Sequence, residues 1–553
     1  MKTMNWHQKY EMRSIVVRHS TLLFIIFCAT VFQTFSQNQL RSDEEWFRRK
    51  FSLKLYENNT FSNTDTLLSN LNSGEYLLTN DKLTLIGENN EQQVFEIATA
   101  TQNKLSLIKN NARITFLKEN KQLATSLSFQ GFLRGLLGMF ALILIAFLLS
   151  RNRKRINWKL VSKGIVLQII LAVLILKVPF VEHGFEFISK AFVKVVDMAH
   201  EGALFVFGSV VDGKLSPLVK NFVTWILPSV IFFSALTSLL YYWGILQRIV
   251  FGMAWVMKRV MGLSGAESVS AAGNVFLGQT EAPLLVKPYL GKMTESEILC
   301  LMTGGMATIA GGVLASYIGF LGDGDPQQKV FFAKHLLTAS LMSAPAAIVF
   351  AKILLPETEE INRDLSISRE KIGSNSLEAI SNGTVDGVKL AVNVAAMLIV
   401  FISLIALGNY ILGQFGSVTG INGVIANYST LYDSLSFQYI LGNLLSPLAW
   451  LLGVPWEDTL IIGQLLGEKT IINEFVAYPH LGELQDEISG KSLMMGTYVL
   501  CGFANFASIG IQVGGIGALA PEKKSILAKY GVLALIAGTL ACMMTATMVG
   551  MLF

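Results

Sequence analysis

The chain has 553 residues, 52% hydrophobic and only 15% charged, with a mean hydropathy of +0.50. That balance lies outside the range of soluble domains and reads as a polytopic membrane protein. A net charge of +5, dispersed and without a basic block interleaved with aromatics, argues against nucleic acid as a partner.

The N-terminus carries Lys2, Lys9, Arg13 and Arg18, then an apolar run from Thr21 to Phe32 and small or polar residues near Ser36. About 12 apolar residues behind a basic stretch are too few to span a bilayer and match a secretory signal peptide over 1–36. An uncleaved signal anchor is the alternative. Residues 37–128 turn polar, with short alternating runs between Asn, Gly and Asp clusters, and predict a small all-β domain. The order of its runs loosely resembles short lipocalin-like domains.

Beyond it the pattern is α-helical and membrane-spanning: about eight transmembrane helices plus two re-entrant hairpins in inverted repeats. The first span, 131–150, is followed by Arg151, Arg153, Lys154, Arg155 and Lys159. By the positive-inside rule that loop is cytoplasmic, so the β domain lies outside. Spans follow at 160–181 and 222–246, with an amphipathic stretch, 184–208, between them. Further spans are expected at 298–320, 330–355, 388–412, 493–517 and 526–553, which leaves the C-terminus outside. The four cysteines, Cys28, Cys300, Cys501 and Cys542, lie in apolar runs without CxxC spacing and read as small hydrophobes in packed helices.

Two stretches break this pattern. SAAGNVFLGQTEAPLLVKP, from Ser270 to Pro288, holds Asn274, Gln279, Thr280 and Glu281 among glycines and prolines. A second, from Gly467 to Tyr478, holds Lys469, Thr470, Asn473 and Glu474. A carboxylate near the bilayer centre costs about 2.5–3.5 kcal/mol on insertion scales. Broken backbone survives there only when buried in protein or lining a cavity, so both stretches are candidate binding elements. Each is followed by a polar-flecked helix and then a plain one. Asn505 and Ser508 lie i, i+3 on the second polar-flecked helix, with Phe503 nearby. Interrupted segments recurring in two halves mark secondary transporters, whose site forms between the repeats. No Ser/His/Asp, HExxH or P-loop pattern supports an enzyme.

GQTEAP at Gly278 to Pro283, NEFVAY at Asn473 to Tyr478 and GFANFASIGIQVGG at Gly502 to Gly515 closely resemble the concentrative nucleoside transporter family over residues 131–553. The resemblance implies a homotrimer in the bacterial inner membrane, importing nucleosides of the uridine, cytidine or adenosine type on the sodium gradient by an elevator motion, with no cofactor beyond the coupling ion. It implies scaffold helices and an interfacial helix over 129–262, a first hairpin repeat of the transport domain over 263–356, a scaffold helix and external loop over 357–436, and a second hairpin repeat over 437–553. Carried over position by position, Gln279, Thr280, Glu281 and Val313 would face the nucleobase, and Glu474, Asn505 and Ser508 the ribose, with Phe503 packed beside the substrate. Sodium would be held by Asn274, Thr308 and the carbonyls of Leu277 and Ile309. Thr308 stands where the sodium-coupled pattern has Ser, and Ala507 where relatives often have Ser, which removes a hydroxyl near the sugar. A proton-coupled carrier, or a symporter of another polar solute such as a nucleobase or amino acid, is the alternative reading.

Overall fold

A computed structural model describes the strands between residues 44 and 117, without most of their connections, and residues 129–553 apart from short segments at 208–209, 212–213, 216–221, 323–324, 366–372, 430 and 486. The expected signal peptide lies outside the described residues. The chain divides into two compact units, residues 1–120 and 121–553.

The first unit is a closed antiparallel barrel of eight strands: β1 (Glu44–Arg48), β2 (Phe51–Leu55), β3 (Thr60–Asn63), β4 (Ser73–Leu78), β5 (Lys82–Gly87), β6 (Gln92–Ala100), β7 (Lys104–Lys109) and β8 (Ala112–Leu117). Closure comes from Phe47 pairing with Leu117. Alternation sends one set of side chains inward, so Leu53, Leu55, Leu83, Leu85, Phe95, Leu105 and Leu107 form its core. Gly74 is required at its position, because a Cβ there would lie 2.0 Å from the Ile86 carbonyl oxygen across the β4–β5 pair.

The second unit is helical. It opens with α1 (Phe129–Leu149), α2 (Trp158–Lys177) and α3 (Pro179–Phe207). The amphipathic stretch is α3, whose buried residues Ser189, Val193, Val196, Ala199 and Ala203 recur at three- and four-residue spacing on one face. Next, α4 (Leu227–Tyr242) turns by 77° into α5 (Ile245–Met261). The expected span to residue 246 therefore ends early, at Gly244, whose positive φ of 73° suits the corner.

A first hairpin follows, made of α6 (Gly265–Asn274) and the short α7 (Ala282–Leu285) and α8 (Lys287–Leu290), then α9 (Glu295–Ala307), α10 (Gly311–Leu321) and the long α11 (Pro326–Leu354). The order recurs with α12 (Ser376–Thr419), the short α13 (Ile421–Tyr428) and α14 (Phe437–Leu452). It continues through the second hairpin of α15 (Thr459–Ile471) and α16 (Glu474–Leu484), then α17 (Gly490–Val499), α18 (Phe506–Leu519) and α19 (Lys524–Leu552). Two expected single spans are thus pairs. Residues 298–320 break at Thr308, and 493–517 break between Val499 and Phe506. Among the described residues six helical stretches are long and apolar enough to cross a membrane, with the broken α9–α10 pair counted as one of them, or seven if the bent α4–α5 pair also counts as one span.

Local chemistry explains the helix starts. Ser264 with Glu267, and Thr294 with Glu297, form capping boxes at the first turns of α6 and α9. The buried Lys352 near the end of α11 holds these two ends together: its ammonium pairs with Glu267, donates to Ser296 at 2.9 Å and reaches Glu357 at 3.1 Å. Elsewhere, small residues let helices touch. A Cβ on Gly463 of α15 would lie 2.7 Å from the Gly442 carbonyl oxygen of α14.

Gly463→Val should therefore force α14 and α15 apart and cost about 1–3 kcal/mol. Gly252→Ala, on α5 with open space around it, should be neutral or stabilising. Melting temperatures of the two purified variants in detergent check the contrast.

Candidate functional site

The site forms where helices stop inside the apolar unit. At the first hairpin α6 ends at Asn274, and the backbone turns through Gly278 to Glu281. The Glu281 carboxylate folds back so closely that a Cβ on Gly278 would sit 2.1 Å from it, so a larger residue there would displace the carboxylate. The Phe276 carbonyl accepts from the Gly311 N–H at 3.1 Å, tying the hairpin tip to the first turn of α10.

At the second hairpin Asn473 caps α16 by accepting from the Val476 N–H at 3.2 Å. Glu474 then occupies the first turn of that helix, where the dipole favours a carboxylate. Asn505 caps α18 in the same way, accepting from the Ser508 N–H at 2.9 Å. Its amide nitrogen donates to Glu474 at 2.8 Å. One side chain therefore closes a helix end and neutralises part of a buried carboxylate's need for donors.

The two halves of the chain join through glutamines. Gln279 of the first hairpin donates to Ser508 Oγ at 3.1 Å and accepts from Gln512 Nε2 at 3.0 Å. Gln512 also reaches the Met302 carbonyl of α9, at 3.0 Å. Glu474, Asn505, Ser508 and Gln279 thus form one buried chain of polar groups in which each touches the next. Beside Glu474, Tyr317 of α10 stacks on Tyr478 with centroids 4.0 Å apart and meets Phe475 edge-on at 5.5 Å.

Glu281 stands apart from this network and faces a cavity of about 160 Å³. Leu277, Gly278 and Val313 share its wall, and α4 and α12 supply the opposite side with Ser234, Thr237 and Asp386. Thr280 lies outside the cavity wall and packs on α18, 3.0 Å from where a Cβ of Gly515 would be. Phe503 is buried at 8% exposure, and its carbonyl accepts from the Asn505 N–H at 2.9 Å.

Behind the hairpin tip, Asn274 and Thr308 are both 1% exposed. The Asn274 Oδ1 is buried without a hydrogen-bond partner in the protein. Thr308 spends its proton on the Gly304 carbonyl at 2.9 Å, which leaves its oxygen lone pairs free. Gly304 makes room for the amide, since a Cβ there would lie 2.8 Å from Asn274 Nδ2. A buried oxygen without a donor is the kind of group that suits a hard cation.

Of the residues expected from sequence, the structure joins Gln279, Glu474, Asn505 and Ser508 in one network and Leu277, Glu281 and Val313 in one cavity. It buries Asn274, Thr308 and Ile309 together with them in the core. Gln512 was not among the sequence candidates. The signal for it was present, because it falls four residues after Ser508 and seven after Asn505, on the same helical face.

Three family models match the helical unit in order: Na+ dependent nucleoside transporter N-terminus at residues 137–210, Nucleoside recognition at 223–324, and Na+ dependent nucleoside transporter C-terminus at 335–550. Nucleoside permease NupC of Helicobacter pylori is 38% identical over 427 residues, 75% of this chain and 96% of that one. The chain belongs to the Na+ dependent nucleoside transporter family. Within it, solute carrier family 28 member 3 of Mus musculus is 40% identical over 433 residues, 75% of this chain, which spans 58% of the mouse relative's length. The protein called CNTnw, solved in an inward-facing substrate-bound state, superposes with a TM-score of 0.68 at 38% identity, covering 76% of this chain and 98% of that one. A variant of CNTnw in an outward-facing state gives 0.68 at 36% identity, with coverage of 76% and 97%.

Gln512→Leu should leave the Gln279 Oε1 and the Met302 carbonyl buried without their donor, at a cost of about 1–3 kcal/mol. Thermal unfolding of the purified variant should show that loss, and Gln512→Glu should be at least as harmful because it removes the same donor.

Proposed function

We propose that this chain is a secondary active symporter that imports nucleosides on the sodium gradient, with the base and the sugar read by different repeats. The observation that carries this reading is the continuous polar network from Gln279 through Ser508 and Asn505 to Glu474, buried in an apolar unit and supplied by both halves of the chain. A polar constellation at that depth is costly unless it has a solute to recognise. Family membership gives the solute class.

In this reading Gln279, Thr280 and Glu281 recognise the nucleobase, with Val313 as an apolar wall. Glu474, Asn505 and Ser508 hold the ribose hydroxyls, and Phe503 packs close by. A carboxylate accepts from hydroxyls while an amide both donates and accepts, so the ribose side is matched to a diol. Sodium, as co-transported ion, is held by the orphaned Asn274 Oδ1 and the Thr308 hydroxyl oxygen, with the carbonyls of Leu277 and Ile309 completing the set. Hard cations favour oxygen donors, and a buried carbonyl oxygen without a hydrogen bond is a donor in waiting.

Movement between faces of the membrane is of the elevator type: the hairpins, α9–α11 and α17–α19 travel against α4 and α12. The Gly383 and Gly387 contacts support such a frame. A Cβ at either would lie within about 2.8 Å of α4 backbone or side chains, so α4 and α12 cross tightly. The scaffold, by the family resemblance, makes a homotrimer. The basic loops support an orientation in which the β domain and the C-terminus lie on the periplasmic side of a bacterial inner membrane. The chemistry is transport, and no catalytic residue is assigned.

In proteoliposomes an imposed sodium gradient should drive uridine accumulation, and replacing sodium by choline at fixed pH should abolish it. Accumulation driven instead by a pH gradient would assign protons as the coupling ion. Deoxynucleosides should compete more weakly than ribonucleosides, since buried groups left without a hydroxyl partner cost about 1–3 kcal/mol. Glu281→Gln and Glu474→Gln should each remove most uptake at unchanged expression; full retention by either sinks its assignment. Strong competition by uracil with none by uridine would replace the nucleoside by a nucleobase.

A further inference from the structure

The face of α10 that lines the cavity continues beyond it. Val313 stands in the cavity wall, and Tyr317, four residues later on the same helical face, is buried at 0% exposure beside Glu474. Its ring is fully used, since it stacks on Tyr478 and meets Phe475 edge-on. Its hydroxyl is not. The Tyr317 oxygen has no hydrogen-bond partner among the described residues, although it lies close enough to the Glu474 carboxylate for the two groups to interact.

Tyr478, the other member of the stack, donates its hydroxyl to the Thr497 carbonyl at 2.9 Å. Two phenols in one stack therefore differ: one completes the fold and the other does not. A buried hydroxyl left unpaired keeps its full desolvation penalty, and phenylalanine would stack in the same place without it. Packing accounts for the ring of Tyr317 but not for its oxygen. Glu474 offers a use for it, because Asn505 donates to only one of the two carboxylate oxygens. A phenol has one proton to give and lone pairs to accept with. Beside a carboxylate the proton goes to the carboxylate, and the phenol oxygen is left to accept from a third group. A sugar hydroxyl is a donor of that kind.

We propose that Tyr317 is a further specificity-determining residue, its hydroxyl donating to Glu474 and accepting from one hydroxyl of the bound solute, so that it helps to select ribose over a deoxygenated sugar. This rests on the nucleoside reading given above and adds a sugar contact from α10, the helix that also supplies the apolar wall at Val313. One face of one helix then touches both ends of the solute, which fixes the distance between base and sugar that the site accepts.

The test is competition for labelled uridine uptake in proteoliposomes holding the purified chain, with uridine and its 2′-, 3′- and 5′-deoxy forms as competitors. In Tyr317→Phe the apparent affinity for uridine should fall by about 3- to 10-fold at unchanged maximal rate. One deoxy form, the one lacking the hydroxyl that Tyr317 reads, should compete as it does with the unaltered chain, so that its disadvantage against uridine shrinks by the same factor. Unchanged affinity for uridine, or an equal loss for uridine and all three deoxy forms, overturns the proposal. Melting in detergent gives a second readout: without uridine Tyr317→Phe should melt no lower than the unaltered chain, while the stabilisation that uridine adds should shrink. A lower melting temperature without uridine, or a variant that does not fold, shows that the hydroxyl already serves the fold and also overturns it. Tyr478→Phe is the control, expected to melt lower because the Thr497 carbonyl loses its donor and to keep the order of the four competitors. No uridine uptake by the unaltered chain refutes the nucleoside reading itself, whereas uptake with an unaltered profile in Tyr317→Phe refutes Tyr317 alone.

Discussion

Everything in the helical unit depends on one constraint: a backbone group that loses its helical partner inside an apolar interior must find another. Among the described residues, helices stop in the hairpins and the broken pairs after Asn274, Ala307, Ile471 and Val499. At each stop the orphaned groups are claimed by something specific. Gly311 donates to the Phe276 carbonyl, Asn473 and Asn505 cap the helices that restart, and Lys469 covers the carbonyls where α17 ends. Remove these partners and the interruptions would cost several kcal/mol each.

The polar site is built from the same residues that solve this problem. Asn505 is the clearest case, because its oxygen serves the helix and its nitrogen serves Glu474. In the proposed reading, stability and recognition are therefore coupled through one amide. The ion-side residues follow the same logic in reverse: Asn274 ends its helix with an oxygen that nothing in the protein satisfies. At the other end of the hairpins the ties are closed. Lys352 binds the capped starts of α6 and α9, and Asp458 accepts from both the Ser489 N–H at 3.0 Å and its hydroxyl at 2.7 Å, joining the starts of α15 and α17. Rigid bases with unsatisfied tips are what a binding hairpin requires.

Much of this was legible in the residues. Alternation announced the β unit, and Gly278, Pro283 and Pro288 beside Glu281 announced the first hairpin, because those residues cannot continue a lipid-facing helix. The breaks at Thr308 and at Val499 to Asn505 were hidden: Thr, Ile, Ala, Leu and Cys sit as comfortably in a span as in a break, so composition gave one helix where there are two. Gln512 was overlooked for a related reason, being a lone amide in a glycine-rich apolar run whose value lies in a partner 233 positions away. Pairings over such distances are decided by packing and leave no local signature.

The two carboxylates also differ in a way that sequence could not show. Glu281 opens onto the cavity together with Val313, whereas Glu474 is 3% exposed and already bonded to Asn505. A solute entering this cavity meets the first repeat directly. To reach Glu474 it must offer hydroxyls that replace or share the Asn505 donor, an exchange that is nearly neutral for a good hydrogen-bonding group and unfavourable for an apolar one. In the proposed reading, selectivity for a hydroxylated solute comes from the second repeat, through competition with a bond the protein makes to itself, while the first repeat presents its carboxylate to the cavity.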